Sequence, residues 1–65
     1  MGVETLVGTP GVARTDISSE GGKIFVVGEW WNAVSDEPVR TGDRVVVVSV
    51  NDMVLKVRGA QEGET

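Results

Sequence analysis

Apolar and polar positions alternate with a period of two in several short stretches, and none carries the period of a helix. Val12 to Ile17 reads as a first strand. Arg14 and Asp16 mark an outward face shared with Val12, so Ala13 and Ile17 face inward. Lys23 to Val27 is a second strand, with Lys23 outward and Ile24 and Val26 inward. Gly28-Glu29 suits a two-residue type II′ hairpin turn, with glycine at the first central position, and makes Val27 the expected cross-strand partner of Trp30. In the third strand, from Trp30 through Val34, Asn32 shares its face with Trp30, which turns Trp31 and Ala33 inward. The fourth, Asp43 to Asn51, is the longest, with Arg44 outward and Val45 and Val47 inward. Strict alternation would then bury Ser49 and expose Val50; a β-bulge near Val48-Ser49 returns Val50 to the core. Asn51-Asp52 signals a turn, and Met53 to Arg58 closes the pattern with Leu55 and Val57 inward.

Five strands in 65 residues leave little room for anything else. A flat meander of that size would expose two edges and cover one face; closure removes both problems. The expected fold is all-β, a five-stranded closed barrel of the OB type with no regular α-helix. The loop around Pro38 occupies the place where many such barrels carry a helix, shaped as about one 3₁₀ turn with Val39 as its anchor. An SH3-like or lipoyl-type β-sandwich is the competing architecture, because Val39-Arg40-Thr41-Gly42-Asp43 followed by alternating valines suits those as well. The barrel is expected over residues 6–59 as one domain, with residues 1–5 and 60–65 as flexible tails.

Composition narrows the chemistry. Cysteine and histidine are absent, which removes disulfides, thiolate metal sites, the commonest general base and the commonest zinc ligand. Ten acidic against six basic side chains give a net charge of −4, the wrong sign for a generic nucleic-acid binder. No run approaches the length of a membrane span, and the start lacks the regions of a signal peptide. Met1-Gly2 resembles a myristoylation start, but Leu6 stands where Ser or Thr is wanted. The chain is expected to be a domain excised from a longer protein. Ser18-Ser19 reads as turn chemistry and Asp36-Glu37 as a solvated loop, with no third oxygen ligand at metal-site spacing. Ser35, Ser49 or Thr15 beside Lys23 or Lys56 is supported by no catalytic spacing, and no catalytic residue, metal or cofactor is assigned. The basic residues Arg14, Lys23, Arg40, Arg44, Lys56 and Arg58 are dispersed along the chain.

All three aromatic residues fall within one hairpin, and the facing pattern divides them. Trp31 goes inward and is expected to be the largest core side chain, with Ile24, Val26, Ala33, Val45, Val47, Leu55 and Val57 as the rest of the structural core. Phe25, Val27 and Trp30 go outward together. Exposed aromatic clusters mark contact surfaces, and tryptophan is enriched at binding hot spots, so this trio is the candidate protein-contact surface. Cross-strand stabilisation of the hairpin is the competing explanation.

The ordered set Leu6-Val7-Gly8, Gly11-Val12-Ala13-Arg14-Thr15, Gly22-Lys23-Ile24, Gly28-Glu29-Trp30-Trp31-Asn32-Ala33-Val34-Ser35, Val39 to Val47 and Leu55-Lys56-Val57 resembles the C-terminal soluble domain of NfeD-like membrane proteins. The resemblance runs from about Leu6 to Arg58. It implies an OB-fold barrel carried behind several transmembrane helices. Longer members add an N-terminal serine protease domain of the ClpP type, whose catalytic residues lie outside this chain. It also implies a stomatin-like or flotillin-like membrane protein as partner, often encoded next door. Polar residues are expected at outward positions in such a domain, and Phe25, Val27 and Trp30 depart from that. The expected function is therefore a non-catalytic interaction module tethered to a membrane through its parent chain, with self-association as a further use of the surface. The alternative is a free-standing barrel that binds single-stranded nucleic acid or oligosaccharide.

Overall fold

The computed structural model describes residues 6–60. Five strands, β1 (Pro10–Ala13), β2 (Gly22–Val26), β3 (Glu29–Val34), β4 (Arg44–Asn51) and β5 (Val54–Gly59), close into a barrel in the order β1-β2-β3-β5-β4. All neighbours are antiparallel except β3 and β5, which run parallel with Asn32 opposite Val54. This is the five-stranded OB-type arrangement, and no α-helix occurs among the described residues.

β1 is shorter than the pattern of Val12 to Ile17 implies, and starts earlier. It ends because Arg14 N–H and Thr15 N–H both reach the Lys23 carbonyl, at 2.9 and 3.4 Å, while Lys23 N–H turns to the Thr15 hydroxyl at 3.0 Å. Two residues thus oppose one, as in a bulge, and the chain leaves the sheet. Thr15 is exposed rather than aligned with Ala13. Ile17 returns inward alone, bridged to Val39 by reciprocal backbone hydrogen bonds of 2.8 and 2.9 Å. That bridge anchors the loop around Pro38, which is irregular rather than 3₁₀.

The long β4 serves two partners. Arg44 to Val46 pair with β1, and Val45 to Asn51 pair with β5 apart from Val48. The register shifts between Val47 and Ser49, so Val48 is the extra residue, Ser49 is exposed and Val50 packs against the core. The bend lets one strand turn around the barrel wall.

The interior is filled by Ala13, Ile17, Ile24, Val26, Ala33, Val39, Val45, Val47, Leu55 and Val57. Trp31 differs from its expected place as the largest core side chain: it is only partly buried and packs against the cluster from its edge. The cause is stagger. β3 pairs with β5 only from Asn32 onward, so Glu29 to Trp31 project past the start of β5 and Trp31 stands at a mouth of the barrel. Ala60, placed in the tail by the sequence pattern, donates its N–H to the Arg44 carbonyl at 2.9 Å. Residues 1–5 and 61–65 lie outside the described residues.

Leu55 is fully buried and is among the largest side chains that are. Leu55→Ala is expected to lower the unfolding free energy by about 2–5 kcal/mol, a large part of what a domain of this size has, measured by urea denaturation.

Candidate functional site: an aromatic and cationic wall

The β2–β3 hairpin turns one residue earlier than Gly28-Glu29. Its central residues are Val27 and Gly28, at φ 49° and 77°, and Val26 pairs with Glu29. Positive φ at both positions makes it a type I′ turn rather than II′. Moving a turn by one residue shifts the cross-strand pairing by two. The partner of Trp30 is therefore Phe25 instead of Val27, and the partner of Asn32 is Lys23 instead of Phe25. A shift of two preserves which side chains face out.

Phe25 and Trp30 meet edge to face, with ring centroids 6.1 Å apart and planes at 78°. This is the favoured geometry for an aromatic pair, and it holds the indole upright while leaving 59% of Trp30 exposed. Val27 is not part of that contact pair; it caps the turn and is 73% exposed. A β-branched residue at positive φ is strained, and Val-Gly stands where Asn-Gly is the favoured choice. Met53, at φ 68° in the β4–β5 turn, is a second strained and exposed apolar residue, at the same end of the barrel because the parallel β3 and β5 both begin at that end.

The pairings extend the pair into a wall. Val12 lies opposite Phe25 on one side and Arg44 on the other, so Arg44, Val12, Phe25 and Trp30 form one outward row across β4, β1, β2 and β3. Toward the hairpin turn, Pro10 and Val46 form the next outward pair. On the opposite side of the row lie Lys23 and Asn32, joined by a 2.6 Å hydrogen bond from Nζ to Oδ1. Arg14 leans back over the row, its guanidinium carbon 5.7 Å from the centroid of Phe25 and 6.0 Å from that of Trp30. A cation over two ring faces fixes both. The sequence marks Arg14 as outward but not as a neighbour of the aromatics, since only the end of β1 and its pairing with β2 bring it there.

The other sequence candidates sit elsewhere. The Ser35 hydroxyl is buried and donates to the Glu37 carbonyl at 2.7 Å while accepting Glu37 N–H at 3.3 Å, which makes it a turn-former. Lys56 pairs with Asp36 at 3.0 Å on the surface. No group of three or more potential metal ligands occurs among the described residues. Two open grooves, of about 580 and 470 Å³, lie by the loop around Pro38 and beside Thr15, Lys23 and Asn32, and neither is lined by Phe25 or Trp30.

Away from the wall, Asp16 ties two loops together. Its carboxylate accepts the N–H and the hydroxyl of Thr41, each at 3.0 Å. Those hydrogen bonds, the backbone one foremost, with Arg40 nearby, hold its pKa below the ordinary aspartate value.

The model of the NfeD family, described as the NfeD-like C-terminal, partner-binding domain, matches residues 3–58. No curated protein matches. Among solved structures, the C-terminal domain of a stomatin operon partner protein from Pyrococcus horikoshii is 28% identical, with a TM-score of 0.85 over 95% of this chain and 98% of that one. The soluble domain of the NfeD protein YuaF from Bacillus subtilis is 26% identical, with a TM-score of 0.80 over 91% of this chain and 79% of that one. The soluble domain of a membrane protein implicated in regulation of membrane protease activity, from Corynebacterium glutamicum, shares the fold at 23% identity, with a TM-score of 0.80 over 83% of this chain and 90% of that one.

Two measurements check the local chemistry. Val27→Asn relieves the strained turn position and is expected to raise the unfolding free energy by about 1 kcal/mol in urea. A carboxyl NMR titration should place Asp16 below the ordinary aspartate value, and Thr41→Val, which keeps the backbone donor but removes the hydroxyl, should bring it part of the way back. With the folded pKa lowered, the tie stabilises the fold above the unfolded value and is lost as pH falls through the folded one.

Proposed function

Because the chain belongs to the family of NfeD-like C-terminal, partner-binding domains, we propose that it is a non-catalytic interaction module, that its contact surface is the face carrying Phe25, Val27 and Trp30, and that its partner is a stomatin-like or flotillin-like membrane protein. The observation that carries the choice of surface is the Phe25–Trp30 pair. A tryptophan 59% exposed, braced by a second ring and by Arg14, presents a large apolar area that is already ordered before contact. Binding at such a site loses little side-chain entropy. Turn strain at Val27 fits the same reading, because local rules are most often broken where a surface has a task beyond stability. The partner class is supported by likeness to the C-terminal domain of a stomatin operon partner protein. Attachment to a membrane through the parent chain is part of the proposal; no helix among the described residues is long and apolar enough to cross a membrane.

Trp30→Ser tests the reading. Binding to the purified soluble region of a stomatin-like protein, followed by calorimetry, should weaken at least about tenfold, the scale of a hot-spot residue. The melting curve of the variant should stay close to that of the parent. Unchanged binding would place the contact on another face, and a variant that no longer folds would make Trp30 a structural residue.

A further inference from the structure

We infer that the aromatic wall recognises an acidic, apolar segment of another chain, with Arg14 receiving a carboxylate of the partner. This rests on the proposed contact surface and adds the chemistry of what it binds.

Charge carries the argument. The chain is acidic overall, at −4, with only six basic residues. Three of those six, Arg14, Lys23 and Arg44, are brought onto or beside one outward row by the pairing of β4, β1, β2 and β3. Among the described residues, none of the three has a carboxylate within ion-pair distance; the ion pair formed is Lys56 with Asp36, on another part of the surface. Lys23 is held by the Asn32 amide and Arg14 by the two rings. The Arg14 guanidinium, held near the two rings by its charge, donates no hydrogen bond to another described residue, which leaves its planar N–H fork to match a carboxylate. The wall is thus an ordered apolar strip whose cations have no carboxylate partner among the described residues.

The sign of those charges separates the possible occupants. A second copy docking through the same face in two-fold symmetry would set Arg14, Lys23 and Arg44 against themselves, which costs affinity. An anionic lipid surface or a nucleic acid is broad enough to meet Glu29 and Asp52 at the two turns beside Trp30 and Met53 as well as the row, whereas a peptide segment lying along the row of Arg44, Val12, Phe25 and Trp30 stays clear of the turns. A peptide segment with alternating apolar and acidic side chains satisfies both halves of the wall, placing apolar groups on Trp30, Phe25 and Val12 and carboxylates on the cations.

The test uses two synthetic peptides with the same leucine and tryptophan positions, one carrying glutamate and the other lysine at every remaining position. Binding is read from backbone and indole N–H shifts in NMR titrations of the protein. The glutamate peptide should shift the resonances of Val12, Phe25 and Trp30, bind about tenfold or more tightly than the lysine peptide, and weaken with added salt. Arg14→Gln should remove about a factor of ten while leaving the melting curve in place, and Arg14→Lys should restore part of it. Equal binding of the two peptides, still lost in Trp30→Ser, would overturn the charge inference while leaving the contact surface standing. No shift with the glutamate peptide up to about 1 mM would overturn it outright. So would Trp30-dependent binding to phosphatidylserine vesicles or to oligo-dT that exceeds binding of the glutamate peptide.

Discussion

β1 closes the barrel, and it does so through a residue without a side chain. Gly11 lies between Val26 of β2 and Val45 of β4, where an added Cβ would stand 2.6 Å from Val26 Cγ2 and 2.9 Å from the Phe25 carbonyl oxygen. Only glycine admits the close approach that lets a four-residue strand pair on both sides. Gly22 does the equivalent at the start of β2, where a Cβ would run into Ile17 and the Asp16 carbonyl. These two contacts hold the loop after β1 against the barrel and leave no free edge at β1.

A closed wall has one inside, and its volume is limited. Isoleucine, leucine and valine fill it; Trp31 is held at the mouth, where β3 outruns β5. Everything on the other face of the alternation is then committed to the outside, and among the described residues Phe25 stays half-buried and Trp30 exposed. They stabilise each other as a cross-strand pair, which accounts for part of their presence. It does not account for Val27 at positive φ in the adjoining turn, nor for three cations around the row that have no carboxylate within ion-pair distance among the described residues of an acidic domain.

These features belong together on a domain of a partner-binding family. The barrel supplies rigidity, since each wall strand is hydrogen-bonded on both sides, and the wall supplies an apolar strip with Arg14, Lys23 and Arg44 along it. On the proposed reading, such a surface favours a partner of opposite charge and disfavours copies of itself, so affinity and discrimination come from the same residues.

Much of this was legible in the residues. Alternation marked Ile24, Val26, Ala33, Val45, Val47, Leu55 and Val57 as inward and Phe25 and Trp30 as outward, and the break in alternation at Val48-Ser49 marked the bulge. These are local properties: a side chain's face follows from its parity along its own strand, and even a turn displaced by one residue leaves parity intact. What only the tertiary structure decided was which strands became neighbours and how far each overran the next. The stagger of β3 against β5 moved Trp31 from the centre to the mouth, and the pairing of β1 with both β2 and β4 set Arg14 over the rings and Arg44 in their row. Those relations depend on closure between residues far apart in the chain, and no period along the sequence carries them.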